Sequence, residues 1–179
     1  MEPVTERLLL RQWREDDKES FARLNADPVA MEHFPSTLDR DASDGFADRN
    51  AEHLALHGWG LWAVEVRATG RFIGYTGLAV PRFTAHFTPA VEIGWRLLPE
   101  VWGNGYATEA ARAALAVGFD DLRLDEIVSF TAVGNRRSRA VMERIGMTHD
   151  PGEDFDHPAL PDGHRLQRHV LYRLRRPAS

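Results

Sequence analysis

A glycine-rich turn between a strand-like segment and a helix is the part of the sequence best suited to chemistry. It occupies residues 102–110, where Gly103 and Gly105 bracket one residue and an alanine-rich helix begins at once. The first N–H groups of a helix lack intrahelical acceptors, and the helix dipole adds partial positive charge there. Glycine allows positive φ and a close approach of the backbone to a ligand. The turn therefore predicts a pyrophosphate cradle, with a tight turn that binds nothing as the alternative.

The cradle needs a strand that leads into it and a helix that is held firmly behind it. We predict the strand over residues 90–97 and the helix over residues 106–122. Small residues recur on one face of this helix, namely Ala107, Ala111, Ala114 and Gly118. Such a stripe permits close packing on a sheet, which fixes the direction in which the helix N-terminus points.

The rest of the chain predicts the element order β, helices, β, β, β, α, β, α, β. This order describes one α/β domain over residues 1–179 with a mixed sheet. Further strands are predicted at residues 7–12, 61–66, 72–80, 126–131 and 167–174. Further helices are predicted near residues 17–25, 29–34, 40–57 and 135–145, with Asp39 and Gly58 bounding the third. Loops are predicted at residues 81–89 and 150–163.

Composition narrows the class of protein. The chain has 179 residues, a net charge of −5 and no cysteine. This charge argues against a protein that mainly binds DNA or RNA. The lack of cysteine excludes disulfides, thiolate metal sites and a cysteine nucleophile. The N-terminus has no basic-then-apolar leader, and no apolar run approaches the ~20 residues of a membrane span. We therefore expect a soluble cytoplasmic protein without a membrane partner.

Several segments occur in the order and at the spacing of one known family. They are TERLLLR at residues 5–11, EIGW at 92–95, PEVWGNGYATEA at 99–110, NRRS at 135–138 and IGM at 145–147. Together they resemble the GNAT acetyltransferase superfamily. More narrowly, they resemble its Rim-type branch, which is named for the N-terminal acetylation of ribosomal proteins. Trp102 stands where the superfamily often has Gln or Arg, but Trp is common there in this branch.

The resemblance implies acetyl-coenzyme A as the donor and a primary amine as the acceptor, either a protein N-terminus or a small molecule. It implies the acyl-CoA N-acyltransferase fold, a mixed and largely antiparallel sheet with flanking helices and a splayed parallel strand pair. Here that pair is residues 90–97 and 126–131, and the pantetheine arm would enter between them. No metal is implied, and a homodimer is common in the superfamily.

The resemblance also assigns residues that would bind the cofactor. The backbone of the turn and of the first helical residues would hold the pyrophosphate: Gly103, Asn104, Gly105, Tyr106, Ala107 and Thr108. Trp95 and Leu97 on the preceding strand would contact the cofactor, and Asn135 would hydrogen-bond the pantetheine amides. Asn135 is equally a good helix N-cap, and both roles can hold at once.

Two residues are candidates for proton transfer. Amines are mostly protonated at neutral pH, with pKa values of about 8 to 10.4, so a base must take a proton before the amine attacks. Strand alternation places Glu92 and Gly94 on the face opposite the apolar row, and Glu92 is the candidate base. Ser138 is the candidate acid for the departing thiolate, since helical spacing turns it inward with Met142. A structural, ion-paired Glu92 is the alternative. A backbone N–H near residues 93–95 would stabilise the oxyanion.

Other polar and aromatic residues have less specific interpretations. Solvation is favoured over a phosphate contact for Arg136, Arg137 and Arg139. The spacings of His149, His157, His164 and His169 match no metal pattern. Residues 157–165 are predicted to cover the acceptor pocket. Candidate pocket walls are Trp13, Trp59, Trp62, Phe34 and Phe87, although core packing is favoured for most of them.

Two other functions compete with an active acetyltransferase. One is a catalytically inactive relative that binds coenzyme A as a binding or regulatory module. The other is an unrelated phosphate-binding protein that shares only the glycine turn.

Overall fold

The computed structural model describes residues 1–176, which form one twisted sheet with helices on both faces. The strands are β1 Leu8–Arg11, β2 Leu61–Val66, β3 Arg71–Ala79, β4 Glu92–Leu97, β5 Glu126–Ala132, β6 Thr148–His149, β7 Phe155–Asp156 and β8 Arg168–Arg175. The helices are α1 Asp17–Ala26, α2 Arg40–His57, α3 Tyr106–Ala116 and α4 Arg136–Arg144. The strand order is β1-β2-β3-β4-β5-β8-β6, and β7 also pairs with β8.

The sheet is antiparallel except at its centre. Strands β4 and β5 are parallel and pair at a single position, Glu92 with Val128. All six residues of β4 pair with β3, and all seven residues of β5 pair with β8. Because each strand follows its own antiparallel partner, the two halves of the sheet separate beyond this point. The predicted fold class, a mixed and largely antiparallel sheet with a splayed parallel pair, is confirmed.

Two contacts tie the halves together just before they separate. The N–H of Val128 donates to the carbonyl of Val91 at 2.9 Å. The Ser129 hydroxyl donates to the carbonyl of Ile93, also at 2.9 Å, and Ser129 is 2% exposed. A buried hydrogen bond at the point of divergence fixes where the gap begins, because an unpaired carbonyl there would be costly.

The helices pack on opposite faces of the sheet. Aromatic residues join α1 to one face, where Phe21 contacts Trp13 and Tyr75. The other face receives α3 and the wider turn that follows it, where a methyl group added to Gly118 would lie 2.5 Å from the Ile127 side chain. A larger residue there would require the Ile127 side chain to move. The predicted stripe of small residues therefore does hold the helix against the sheet, and Ala111 and Ala114 are fully buried.

The structure differs from the sequence prediction at three places. The helix predicted to Leu122 loses α-helical bonding after Ala116 and ends in a wider turn, in which the Leu122 N–H donates to the carbonyl of Val117. Residues 28–33 form turns rather than a helix. The Asp27 carboxylate accepts the N–H groups of Val29 and Ala30, as a helix cap would, but the Phe34 N–H then donates to the Met31 carbonyl three residues back, so a single turn forms and no run of α-helical bonds. Residues 148–156 contain β6 and β7, which are too short for alternation to reveal.

The other predicted helices and strands are present within one or two residues. Helix α2 begins after Asp39, whose carboxylate accepts the Ala42 N–H at 2.8 Å, and it ends at Gly58, as predicted. Within residues 1–176, no helix is both long enough and apolar enough to cross a membrane.

The hydrogen bond from the Ser129 hydroxyl to the Ile93 carbonyl gives a testable prediction about stability. Ser129→Ala should lower the free energy of unfolding by about 1–2 kcal/mol, because the buried Ile93 carbonyl loses its donor. Urea unfolding measures the change. The matched control is Thr148→Ala, whose exposed hydroxyl makes a long 3.4 Å contact with the Arg173 carbonyl. That control should change stability by no more than about 0.5 kcal/mol, and equal losses in the two variants would contradict the prediction.

Candidate active site

A cavity of about 1070 Å³ opens where β4 and β5 separate. Its walls come from these strands, from the first turns of α3 and α4, and from residues 29–35 and 157–166. All predicted site residues except Asn104 line it: Glu92, Trp95, Leu97, Gly103, Gly105, Tyr106, Ala107, Thr108, Asn135 and Ser138. The fold therefore brings the glycine turn, Glu92 and the start of α4 to one space.

The glycine turn has the conformation that the sequence predicts. Gly103 and Gly105 have φ values of 82° and 79°, in the left-handed region. Gly105 is the N-cap of α3, and no side chain caps the helix. The N–H groups of the first helical turn are thus left for another acceptor, and they lie at the cavity wall.

Side chains around the turn brace it, including some that line the cavity. Asn104 donates to the carbonyl of Val101 at 2.9 Å and lies outside the cavity wall. The Trp102 indole donates to the carbonyl of Leu97 at 2.8 Å, which fixes the end of β4. The Arg137 guanidinium lies 4.6 Å from the centre of that indole ring.

Residues 5–7, just before β1, make hydrogen bonds to the glycine turn and to the start of α3, a clasp that the sequence did not reveal. The Glu109 carboxylate accepts hydrogen bonds from the Thr5 hydroxyl at 2.6 Å and from Arg7 Nε at 2.7 Å. Arg7 also donates to the carbonyl of Asn104 at 3.0 Å and lies 4.7 Å from the centre of the Tyr106 ring. The start of α3 is therefore attached to the chain just before β1.

The main chain of β4 offers a free edge to the cavity. The Leu98 N–H, just after β4, donates to the Ile73 carbonyl of β3. Because main-chain groups alternate in direction along a strand, Arg96, Gly94 and Glu92 also point their N–H and C=O groups toward β3. The alternate residues, including Trp95 and Leu97, point theirs toward β5, which has already diverged. The N–H and C=O of Trp95 consequently lie on the open side of the strand.

Glu92 occupies the face of β4 that the alternation predicted. It is half-buried, lines the cavity and forms no ion pair with any residue in the range 1–176. Burial raises the pKa of its carboxyl from the usual range to about 7. A methyl group added to Gly94 would meet no atom within 4 Å, so open space adjoins Glu92. The alternative of an ion-paired structural glutamate finds no partner in the described part of the chain.

Asn135 and Ser138 lie together at the start of α4. The Asn135 side chain accepts the Ser138 N–H at 3.2 Å and donates to the Thr131 hydroxyl at 2.9 Å. Asn135 is thus an N-cap and also faces the cavity. Met142 is buried on the same side of the helix, as the spacing predicted.

The less specific candidates separate into three groups. Arg136 and Arg137 are exposed at the cavity wall, whereas Arg139 donates to the Val133 carbonyl. His157 and His169 line the cavity with rings 4.9 Å apart, together with Ala159 and Leu160. Of the proposed aromatic walls, Phe34 lines the cavity. The other four pack elsewhere, and they are Trp13, Trp59, Trp62 and Phe87.

The histidines do not form a metal centre in the described residues. No group of three His, Cys, Asp or Glu side chains in the range 1–176 could hold a metal ion. His149 instead hydrogen-bonds Asp154 at 2.7 Å. Burial lowers the pKa of both His157 and His169, which favours neutral imidazoles at the cavity wall.

Arg96 is a buried charged residue of the cavity that sequence reasoning missed. It is 8% exposed and lies on the same face of β4 as Glu92. The period-two alternation that selected Glu92 could have found it, because Arg96 is four residues further along the strand.

Comparison with known proteins places the chain in a family. The acetyltransferase (GNAT) domain family matches residues 7–148, and the chain therefore belongs to the GNAT acetyltransferases. The uncharacterised protein YkkB of Bacillus subtilis is 34% identical over 145 residues, which cover 80% of this chain and 83% of that protein.

Two further matches agree with this assignment. The FsC-acetyl coenzyme A-N(2)-transacetylase of Aspergillus fumigatus is 33% identical over 151 residues, which cover 72% of this chain and 63% of that protein. The crystal structure of a GNAT-family acetyltransferase from Bacillus anthracis is 26% identical, has a TM-score of 0.80, and covers 98% of both chains.

The raised pKa of Glu92 predicts a pH-dependent stability. The folded protein binds this proton more tightly than the unfolded chain, so stability falls as pH rises from the ordinary pKa of 4.5 to the folded value of about 7. Glu92→Gln lacks this loss. The melting temperature of Glu92→Gln minus that of the parent should therefore increase from pH 4.5 to about pH 7 and stay constant above that pH. Thermal melts at several pH values measure the difference, and a pH-independent difference would contradict the prediction. Glu52→Gln, on the exposed side of α2, is the control.

Proposed function

We propose that this chain is a single-domain N-acetyltransferase of the Rim-type branch, which transfers acetyl from acetyl-coenzyme A directly to a primary amine. One observation carries the proposal. A continuous cavity connects the uncapped N-terminus of α3 with Glu92 through the gap between β4 and β5. An extended thioester fits a cavity of this shape, with its phosphorylated end at the N-terminus of α3 and its acyl end near Glu92.

The proposed donor site uses mostly main-chain groups. The N–H groups from Gly103 to Thr108 would receive the pyrophosphate, where the helix dipole also favours negative charge. The pantetheine arm would lie in the gap and pair with the free N–H and C=O of Trp95 and the N–H of Leu97. The Asn135 amide is already a cap, but its second N–H is available to the arm. The name of the Aspergillus relative supports acetyl-coenzyme A as the donor.

The proposed reaction is one direct displacement at the thioester carbonyl. Glu92, as a carboxylate, takes a proton from the acceptor ammonium, directly or through water. The neutral nitrogen then forms a bond to the carbonyl carbon, and a main-chain N–H between Ile93 and Trp95 stabilises the oxyanion. As the carbon–sulfur bond breaks, the Ser138 hydroxyl gives a proton to the thiolate. The nitrogen, which still carries one proton more than the amide product, releases that proton to solvent, and Ser138 regains a proton from solvent. A base with a pKa of about 7 is well matched to neutral pH.

Acetyl-coenzyme A binding tests the phosphate end of the site. Gly105→Ala forces a side chain into the left-handed region, which should cost about 1 kcal/mol and distort the cradle. Gly163 has the same φ of 79° in a loop outside the cavity wall, so Gly163→Ala is the matched control. Both variants should lose stability, but only Gly105→Ala should lose the melting-temperature increase that saturating acetyl-coenzyme A gives the parent. An equal increase in both variants, or none in the parent, would contradict the donor site.

Acetyl transfer tests the reacting end. Glu92→Gln should lower kcat by about 10²–10⁴-fold and leave acetyl-coenzyme A affinity unchanged, because it removes a proton acceptor and no phosphate contact. For the parent, kcat/KM should rise with pH through about 7 as Glu92 ionises. A screen of amines that detects the released thiol measures turnover, and the absence of cysteine keeps its background low. An inactive relative would bind acetyl-coenzyme A and acetylate no amine.

A further inference from the structure

Two buried arginines in this protein have opposite surroundings. Arg11 is 2% exposed and is held by two carboxylates, Asp17 at 2.7 Å and Glu65 at 2.6 Å. Arg96 is 8% exposed and forms no ion pair with any described residue. A buried charge without a counterion is expensive. Arg96 also lines the cavity, whereas Arg11 does not.

The contacts of Arg96 are all with neutral groups. Its Nη1 donates to the Asn25 side-chain oxygen, and the Asn25 amide is held in turn by the Ser43 hydroxyl at 2.9 Å. The guanidinium carbon lies 3.9 Å from the centre of the Phe34 ring and 5.4 Å from the centre of the Tyr75 ring. These contacts fix the orientation of the guanidinium and leave its charge uncompensated.

The guanidinium retains unused donors. Nε is buried and has no hydrogen-bond acceptor among residues 1–176, and Nη2 donates to none of them. Nε and Nη2 together form the edge of arginine that binds the two oxygens of a carboxylate side by side. A carboxylate at this edge would supply both the missing charge and the missing acceptor.

We propose that Arg96 binds a carboxylate on the acceptor, so that the acceptor is a small aminocarboxylate. This inference rests on the proposed acetyltransferase function. Arg96, Gly94 and Glu92 follow one another on one face of β4, and Gly94 leaves open space between the two charges. The carboxylate is held by Arg96 and the amine lies toward Glu92, whose Cα is about 13 Å away along the strand, so the proton reaches Glu92 through water. The apolar side of the acceptor lies against Val29, Phe46 or Leu61 of the same cavity.

Matched acceptors test the proposal. L-leucine, L-leucinamide and 3-methylbutylamine share one apolar group and differ at the carboxylate. The kcat/KM for each is measured with the parent and with Arg96→Met. The kcat/KM for leucine divided by the kcat/KM for each neutral analogue should be at least about 10-fold lower in Arg96→Met than in the parent. The thermal shift caused by acetyl-coenzyme A should stay unchanged. Comparing ratios between proteins cancels the different basicities of the three amines.

Two further variants separate charge recognition from a packing defect. Arg96→Lys keeps the charge and should retain part of the discrimination. Arg82→Met removes an exposed arginine outside the cavity wall and should leave the ratios unchanged. If the leucine ratio is the same in the parent and in Arg96→Met, or if only peptides and no free aminocarboxylates are acetylated, the proposal is wrong.

A binding measurement on the parent protein keeps the test independent of turnover and of the folding of the variants. Calorimetry with 4-methylpentanoate and 4-methylpentanamide on the coenzyme A-loaded protein should show the acid binding at least about 10-fold more tightly. Equal affinities would overturn the carboxylate site. Carboxylate binding without acetylation of any amine would overturn the proposed function and leave the carboxylate site standing, so the two failures are distinguishable.

Discussion

The separation of β4 from β5 is the constraint on which the rest of the site depends. Each strand has a complete antiparallel partner on its outer side, so neither needs the other to satisfy its main chain. One paired position and the Ser129 hydroxyl hold them together at the start of the gap. A single parallel junction inside an antiparallel sheet thus creates both a cavity and a strand edge with unpaired groups. The glycine turn and the helix behind it can meet that cavity because they follow directly from β4.

Charged side chains that support the fold are ion-paired, whereas Glu92 and Arg96, which face the cavity, are not paired with any residue in the range 1–176. Arg11, Asp17 and Glu65 form a compensated buried cluster between β1, α1 and β2. Glu109 and Arg7 form another ion pair at the edge of the glycine turn. Glu92 and Arg96, by contrast, share the cavity without ion-pair partners in the described chain. Uncompensated groups destabilise a folded protein, so their concentration in one cavity is the pattern expected of a functional site.

The parts of the fold that sequence could predict are those that depend on local rules. The glycine turn, the capping of α2 by Asp39 and the face of β4 that carries Glu92 follow from backbone conformation, helix capping and strand alternation. The unpaired state of Arg96 could not be predicted in this way. It depends on Asn25 and Phe34, which are more than sixty residues distant and reach the cavity only because α1 and the following turns pack on that face. The clasp between Thr5 and Glu109 is likewise a contact across a hundred residues. The assignment of site residues to catalytic and binding roles stays a prediction.

The indole of Trp102 gives β4 a further property. By occupying the Leu97 carbonyl, it ends the free edge of the strand at a fixed distance from the phosphate cradle. Glu92 lies five residues earlier, about 16 Å along an extended strand. Under the proposed function, the length of β4 therefore sets the distance between the phosphates and the thioester carbonyl of a donor that reacts. A thioester on a shorter or longer arm could bind with its phosphates in the cradle and still place its carbonyl away from Glu92, so the enzyme would select donors by the length of this arm.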